Sequence, residues 1–340
     1  MRTWLSKILG ITLIVVSFTA GWILIDLQAF LNRPLVQNGQ SVVYEVRPGS
    51  GLISVARDLG KLGLVEHPYY LVWYARWRGS ADRIKAGEYL IEGLMTPALL
   101  LDKMEQGDVM RYSLTIPEGW SFRQLLAAVR AHDKIRHTLD TEDGAVIMER
   151  LGHPGEHPEG RFFPDTYLFP AGTTDLALLQ YAYAAMERRL EQEWRDRAPD
   201  LPLETPYQAL ILASIVEKET GSADERPRIA GVFIRRLQKN MRLQTDPTVI
   251  YGLGAQFDGN LRRRDLEADT PYNTYTRAGL PPTPIALPGR DALHAALHPA
   301  PGNELYFVSR GDGTHHFSAS FDEHAGAVRD YQLNGGRGRK

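Results

Sequence analysis

Eighteen consecutive residues near the amino terminus, ILGITLIVVSFTAGWILI from Ile8 to Ile25, carry no charge. As a helix rising about 1.5 Å per residue they span roughly 27 Å, close to the thickness of a bilayer's hydrocarbon core. Arg2 and Lys7 precede the run and Asp26 follows it. A cleaved secretory signal has a shorter apolar stretch, about 7–15 residues, and a small-residue cleavage site after it. Neither feature fits, and the chain has no cysteine for lipid attachment. The segment therefore reads as a retained signal anchor, residues 8–25, with residues 1–7 held in the cytoplasm by their positive charge. Everything after about Leu31 then lies outside the inner face, where ATP and NAD are not available.

The rest of the composition mostly excludes. A net charge of −2 gives no electrostatic basis for binding nucleic acid. Zero cysteines rule out disulfides and cysteine-ligated haem or iron–sulfur groups. The 340 residues suggest two or three domains at about 100–200 residues each.

The exported part reads as α+β throughout. A strand, Ser41–Val46, runs through a Pro-Gly turn into LISVARDLGKLGLV, where Leu52, Val55, Ala56 and Leu59 recur at helical spacing. The same strand, turn and helix order returns in YSLTIPEGWSFRQLLAAV, Tyr112–Val129. Residues 41–110 form a small α+β module and 111–152 a helical linker region. Between the two echoes, Tyr69, Tyr70, Trp73, Tyr74 and Trp77 fall at helical spacing and read as core. His153–Asp175 is rich in Pro and Gly, and its histidines match no metal-ligand spacing. A long amphipathic helix follows, around Leu176–Arg197. Thr205 before Pro206 is a strong helix start and opens a helix to Glu219. Further helices are expected over Arg226–Leu237 and after Thr245 or Asp246, and a hairpin turning at Gly-Asp-Gly in ELYFVSRGDGTHHFSAS. Residues 334–340, ending in GGRGRK, read as a disordered tail.

The helix from Pro206 poses a chemical question. ILASIVEKET, Ile211–Thr220, attaches two carboxylates to the end of an apolar helix. Glu217 and Glu219 lie about 200° apart around the axis, so a single cleft can use only one of them. A carboxyl losing hydration at such a place holds its proton toward neutral pH, as a general acid must. The plain alternative is two solvated glutamates at a helix end, although acids there oppose the helix dipole. Helix geometry does not choose between them, and the small Ala213–Ser214 shelf beneath Glu217 only leans toward that residue. No G-x-S-x-G elbow, P-loop or dinucleotide fingerprint is present. His294 and His298 have i,i+4 spacing but lack the glutamate of H-E-x-x-H, so no metal is expected.

Longer stretches carry a resemblance. ASIVEKET, RPRIAGVFIRRLQKNMRLQTDPTVIYGLG, YNTYTRAGLPPTPIALPG and ALHPAPGNELYFV, with EGRFFPDTYLFPAGTT upstream and the single amino-terminal span, resemble the YceG-like family of endolytic murein transglycosylases. The resemblance runs from the anchor to about Tyr331. It implies a first module similar to LysM peptidoglycan-binding domains, a YceG-like catalytic domain over residues 153–333, and an inner-membrane lyase. Such an enzyme cuts nascent glycan strands between muramic acid and glucosamine residues, leaving 1,6-anhydro ends, without metal or organic cofactor. It further implies that the first acid of E-K-E-T, Glu217, is catalytic. Gln244, Thr245, Asp246 and Tyr251 in the LQTDPTVIY run, and Asn273 and Tyr275 in YNTY, are implied to line the glycan groove. Association with glycan-polymerising synthases is a further implication. Two other functions stay open: a two-carboxylate hydrolase with Asp246 as second acid, and a non-catalytic wall-binding scaffold.

Overall fold

A computed structural model of the protein describes residues 2–36 and 39–334. The disordered-tail expectation for 334–340 falls, beyond Asn334, outside the described residues. The chain divides into two compact units, one of Met1–Tyr112 with Leu168–Gly172 and one of Ser113–Tyr167 with Thr173–Lys340. Its class is mixed α+β with one amino-terminal apolar helix.

The first unit begins with α1, Arg2–Asn32. Among the described residues it alone is long and apolar enough to cross a membrane; its apolar run to Ile25 is largely exposed, while Phe30 near its end is buried against the module. The module after it comprises β1 (Ser41–Val46), α2 (Leu52–Lys61), α3 (Pro68–Trp77), β2 (Gly87–Glu92) and α4 (Pro97–Gln106). β1 and β2 pair antiparallel with Tyr44 opposite Tyr89. Tyr89 is fully buried and its hydroxyl donates to the Lys85 carbonyl at 2.7 Å, so a large polar side chain enters the core without a lost hydrogen bond. Leu52, Val55, Ala56 and Leu59 of α2 meet Leu71 of α3 and Leu100, Leu101 and Met104 of α4 in that core. Thr96 caps α4 and Gly107 ends it in the left-handed conformation.

The aromatic stripe of α3 corrects the sequence expectation. The buried side of this helix is Leu71, Val72 and Ala75, while Tyr69, Trp73 and Trp77 are exposed and Tyr70 and Tyr74 half-buried. These three aliphatic side chains form the side of α3 that packs into the module core, and the rings turn the other way.

The chain passes between the units within β3 (Arg111–Thr115) and β4 (Thr166–Pro170); α5 (Phe122–Ala131) and α6 (Gly144–Arg150) lie between these strands. α7 covers Asp175–Arg195, starting one residue earlier than expected because the Thr174 hydroxyl accepts from the Ala177 amide. α8 is Pro206–Glu219, α9 Arg226–Gln238, α10 Asp246–Leu253, α11 Arg263–Glu267 and α12 Arg290–Leu297. The hairpin β5 (Tyr306–Ser309) and β6 (His315–Ser318) and then α13 (Phe321–Val328) complete the second unit.

α8 is the spine of this unit. Thr205 accepts from the Gln208 amide and Pro206 opens the helix, as the sequence indicated. Every residue from Ala209 to Val216 is buried, and α7, α9, α10 and α12 pack around the helix. A helix apolar on all sides can sit only in such a place. Ser214, its one buried hydroxyl, donates to the Ile211 carbonyl and accepts from the Ile285 amide.

Candidate active site

Thr220 leaves helical geometry at φ −142° and ψ 137°, so Glu217, Lys218 and Glu219 occupy the last turn of α8. The helix delivers the two carboxylates from a rigid core to different surroundings. Neither is a solvated surface acid, which removes the plain alternative raised by the sequence.

Glu217 lies in a cluster of charged side chains. Its side chain is 6% exposed and faces Arg226, whose own side chain is 9% exposed, across 3.4 Å. Its other carboxylate oxygen accepts from the Gly289 amide at 3.0 Å. The Arg226 guanidinium is shared with Glu118 at 3.7 Å and Asp291 at 3.6 Å. Gly289 lies close under Glu118: a Cβ there would come within 1.7 Å of the Glu118 carboxylate, which would have to move aside. The Pro117–Trp120 loop is tied alongside, with the Gly119 amide donating to Leu287, the Leu287 amide to Trp120, and Lys218 Nζ to Gly119. Burial raises the Glu217 pKa and Glu118 adds to the rise, while the Gly289 amide, Arg226 and Lys218 oppose it. Both oxygens are held by protein.

Glu219 faces a cleft of 460 Å³ together with Gln244, Asp246, Tyr275, Tyr306 and His315. Its Oε2 accepts from the Thr245 hydroxyl at 2.7 Å. Among the described residues no protein donor is seen on Oε1. Burial raises the pKa of this carboxyl, the Thr245 hydroxyl lowers it, Asp246 raises it and His315 lowers it. Asp246 Oδ1 accepts from the Tyr275 hydroxyl at 2.5 Å, and burial and that carboxylate together push the phenol well above its ordinary value.

The backbone that presents these groups is built with some strain. Gln244 has φ 48°, a left-handed conformation uncommon for a side chain with a Cβ. Its amide donates to the Thr274 carbonyl at 3.1 Å, and Arg236 Nη1 donates to its Oε1 at 3.3 Å. Arg236 also reaches the carbonyls of Leu243 and Leu305 and thereby joins the loop before α10 to the start of β5. Strained residues of this kind concentrate at functional sites, where the surroundings over-determine them.

The sequence-derived site residues therefore separate. Gln244, Thr245, Asp246 and Tyr275 come together around Glu219. Glu217 stands apart from them: a step of two residues turns it about 200° around the helix, toward Arg226 and Gly289. Asn273 is a second correction. It is fully buried, its amide nitrogen donates to the carbonyls of Asp265, Leu266 and Ala268, and its oxygen accepts from the Tyr275 amide. It shapes the loop that carries Tyr275 and does not line the cleft. Tyr251 also lies elsewhere, donating to Glu159 at 3.1 Å and packing edge-on to Tyr272. Thr245 is the N-cap residue of α10, as expected, but its hydroxyl donates to Glu219 and makes no cap hydrogen bond.

Sequence reasoning missed Arg226, Glu118, Arg236, His315 and Glu159. His315 is the first residue of β6, and both its amide and its Nδ1 engage Glu225, at 2.9 and 2.7 Å. The histidine pair after the Gly-Asp-Gly turn was visible but read only as hairpin. Glu159, 4% exposed, accepts from the Phe122 amide and Tyr251, and burial lifts its pKa to about 7. Among the described residues the one grouping of metal-capable side chains is Glu193, His294 and His298. His294 Nδ1 lies 2.9 Å from Glu193 and His298 Nε2 2.8 Å from the Asp196 carbonyl, and none of the three lines the cleft.

Comparison with known proteins places this geometry in context. The family model of the YceG-like family matches residues 44–330. The chain is 29% identical over 322 residues to the endolytic murein transglycosylase of Bacillus subtilis strain 168, covering 88% of each protein. It is 28% identical over 304 residues to the endolytic murein transglycosylase of Streptococcus pneumoniae serotype 2, strain D39, covering 79% of this chain but only 54% of that longer relative. The crystal structure of a yceG-like protein from Listeria monocytogenes superposes with a TM-score of 0.53 at 28% identity, over 85% of this chain and all of that one. With 287 of its residues inside one family model, as 44–330 spans, and a solved relative of the same fold, this chain belongs to the YceG-like family.

Proposed function

We propose that the chain is a membrane-anchored peptidoglycan lytic transglycosylase that cuts within glycan strands, and that Glu219 is its acid–base group. The name shared by its relatives supports the reaction class. The observation that carries the residue is that Glu219 lines the same cleft as Gln244, Asp246 and Tyr275, with one carboxylate oxygen that takes no donor among the described residues. Glu217 is closed off by an arginine and an amide.

The chemistry needs one carboxyl. Desolvation raises the pKa of Glu219 and so favours its protonated form. It gives that proton to the glycosidic oxygen as the bond from the muramic acid's anomeric carbon breaks. The sugar's own primary hydroxyl then attacks that carbon and returns its proton to the Glu219 carboxylate, closing a 1,6-anhydro ring. An internal nucleophile has an effective concentration of about 10⁵–10⁸ M in favourable cases, so no second carboxylate is required to activate water. Thr245 fixes the carboxyl, and the exposed Gln244 and the Tyr275–Asp246 pair offer hydrogen bonds to sugar hydroxyl and amide groups.

A second reading has a specific basis, because Asp246 shares the cleft with Glu219. Two carboxyls flanking one bond suit a hydrolase, retaining at about 5–5.5 Å or inverting at about 6.5–9.5 Å. Mass spectrometry of products from purified glycan strands separates the two: anhydro-muramic ends are expected, and reducing muramic ends would transfer the claim to hydrolysis. Wild-type cleavage by Glu219→Gln would move the acid–base role to another residue, and no cleavage by the wild-type chain would reduce the protein to a wall-binding scaffold.

The remaining parts follow from the anchor. α1 holds the protein in the inner membrane with its basic end cytoplasmic and the two units outside, residues 41–110 acting as a LysM-like glycan-binding module. There the enzyme meets strands as glycan-polymerising synthases release them.

A further inference from the structure

α3 presents an aromatic face that its own core leaves unused. Tyr69, Trp73 and Trp77 recur at i, i+4 and i+8, within about 80° of arc. They are 73%, 53% and 84% exposed. Scattered exposed apolar residues are ordinary, but this face continues into another apolar surface. Trp73, Tyr74 and Trp77 form one wall of a 640 Å³ groove, and Leu24, Leu27 and Leu31 of α1 form the other.

The height of that groove on the anchor is set by contacts. Asp26 is the first charge past the apolar run, and the Tyr70 hydroxyl donates to its Oδ2 at 2.7 Å. Phe30 packs edge-on against the Tyr70 ring with centroids 5.6 Å apart. α3 is thus clamped to α1 at Asp26–Phe30. The 31 residues of α1 make a helix about 46 Å long, against a hydrocarbon core of about 30 Å. The turns from Asp26 onward therefore stand in the headgroup layer, and Leu24 still belongs to the acyl region. A wall of tryptophans facing Leu24 and Leu27 sits at the boundary between acyl chains and headgroups. Trp collects at that level because its ring is apolar and its N–H needs a wet partner. Arg76, exposed between the two tryptophans, belongs to the same class of interfacial anchor.

We propose that Trp73 and Trp77 are a lipid-facing foot: they insert at the outer headgroup boundary of the bilayer that α1 spans and set the first module upright on the membrane. The occupant of the groove is lipid. The proposal rests on α1 being a membrane span and goes beyond it, since an anchor on a loose tether would leave the module free in solution.

The lack of cysteine makes the test clean, because each substituted cysteine carries the only thiol. Val15→Cys, Trp77→Cys and Val43→Cys replace side chains that are 57%, 84% and 51% exposed, so none disturbs a core. The full chain, spin-labelled at each position, is placed one copy per nanodisc of phosphatidylethanolamine and phosphatidylglycerol. Collisions with oxygen and with a water-soluble nickel chelate are then measured. The label at 15 is expected to see oxygen almost alone. The label at 77 is expected to see the chelate at least about threefold less than the label at 43. Equal chelate access at 77 and 43, with 15 still in lipid, overturns the foot and leaves the anchor standing. If access at 77 is equal to that at 43 and then falls on adding glycan strands, the face is a sugar-stacking platform instead. Chelate access at 15 removes the anchor itself, and the foot with it.

Discussion

Two glutamates two residues apart at the end of α8 keep very different company. Glu217 meets Arg226, the Gly289 amide and, through the arginine, Glu118 and Asp291. Glu219 meets one hydroxyl and borders a cleft. Burial raises the pKa of both. An elevated pKa therefore marks loss of water and does not by itself mark a catalyst. What separates the two is company: an arginine and a backbone amide hold Glu217, while Glu219 takes one hydroxyl and borders the cleft.

The widest gap should appear on neutralising each acid in turn. Glu219→Gln is expected to cut glycan release by about 10³-fold, the scale of a positioned general acid, with an unchanged or slightly higher melting temperature. Near-normal release by this variant would break the comparison at once. Glu217→Gln is expected to act on folding, lowering stability by about 1–3 kcal/mol because Arg226 keeps its burial and loses its closest charge. Denaturant melts measure that loss, and release should stay within a few-fold of wild type. Abolished release at unchanged stability would invert the two roles.

Smaller effects sharpen the cleft side. Tyr275→Phe keeps the ring but removes the hydroxyl that holds Asp246. A loss of about tenfold in kcat/KM is expected, carried mainly by KM, which corresponds to about 1.4 kcal/mol. A pure kcat effect would place the hydroxyl in the chemistry itself. The smallest effect concerns pH. Glu219 must be protonated to act, so kcat/KM falls as pH rises through its elevated pKa. Asp246 is a negative neighbour that helps keep that proton on. Asp246→Asn should therefore move the alkaline limb of the pH–rate profile to lower pH by a fraction of a unit. A limb that moves upward would show that a different group titrates.

Much of the fold was legible because local rules dominate it. Thr205-Pro206 starts α8 where capping requires, and the continuous apolar run after it could only be a buried spine. The Gly-Asp-Gly turn closes β5 onto β6 as its spacing indicated. The aromatic stripe of α3 misled for an instructive reason: helical periodicity reveals a face but not which medium it meets. Leu71, Val72 and Ala75 form an equally regular face and won the core by fitting it. Asn273 misled similarly. A polar residue within a motif is as able to hold a loop together, here through three carbonyls, as to touch a ligand.

By itself the sequence determined the apolar amino-terminal helix, the helix that carries the acids and their opposite directions around its axis. Those follow from residue type and the 3.6-residue turn. Which direction holds a cleft was decided only by the tertiary structure. It depends on where distant segments pack: the loop at Gln244–Asp246, the turn carrying Tyr275 and the hairpin bearing His315 on one side, and Gly289 with Arg226 on the other. The angle between two side chains is local geometry, but the space in front of each belongs to chain up to about a hundred residues away.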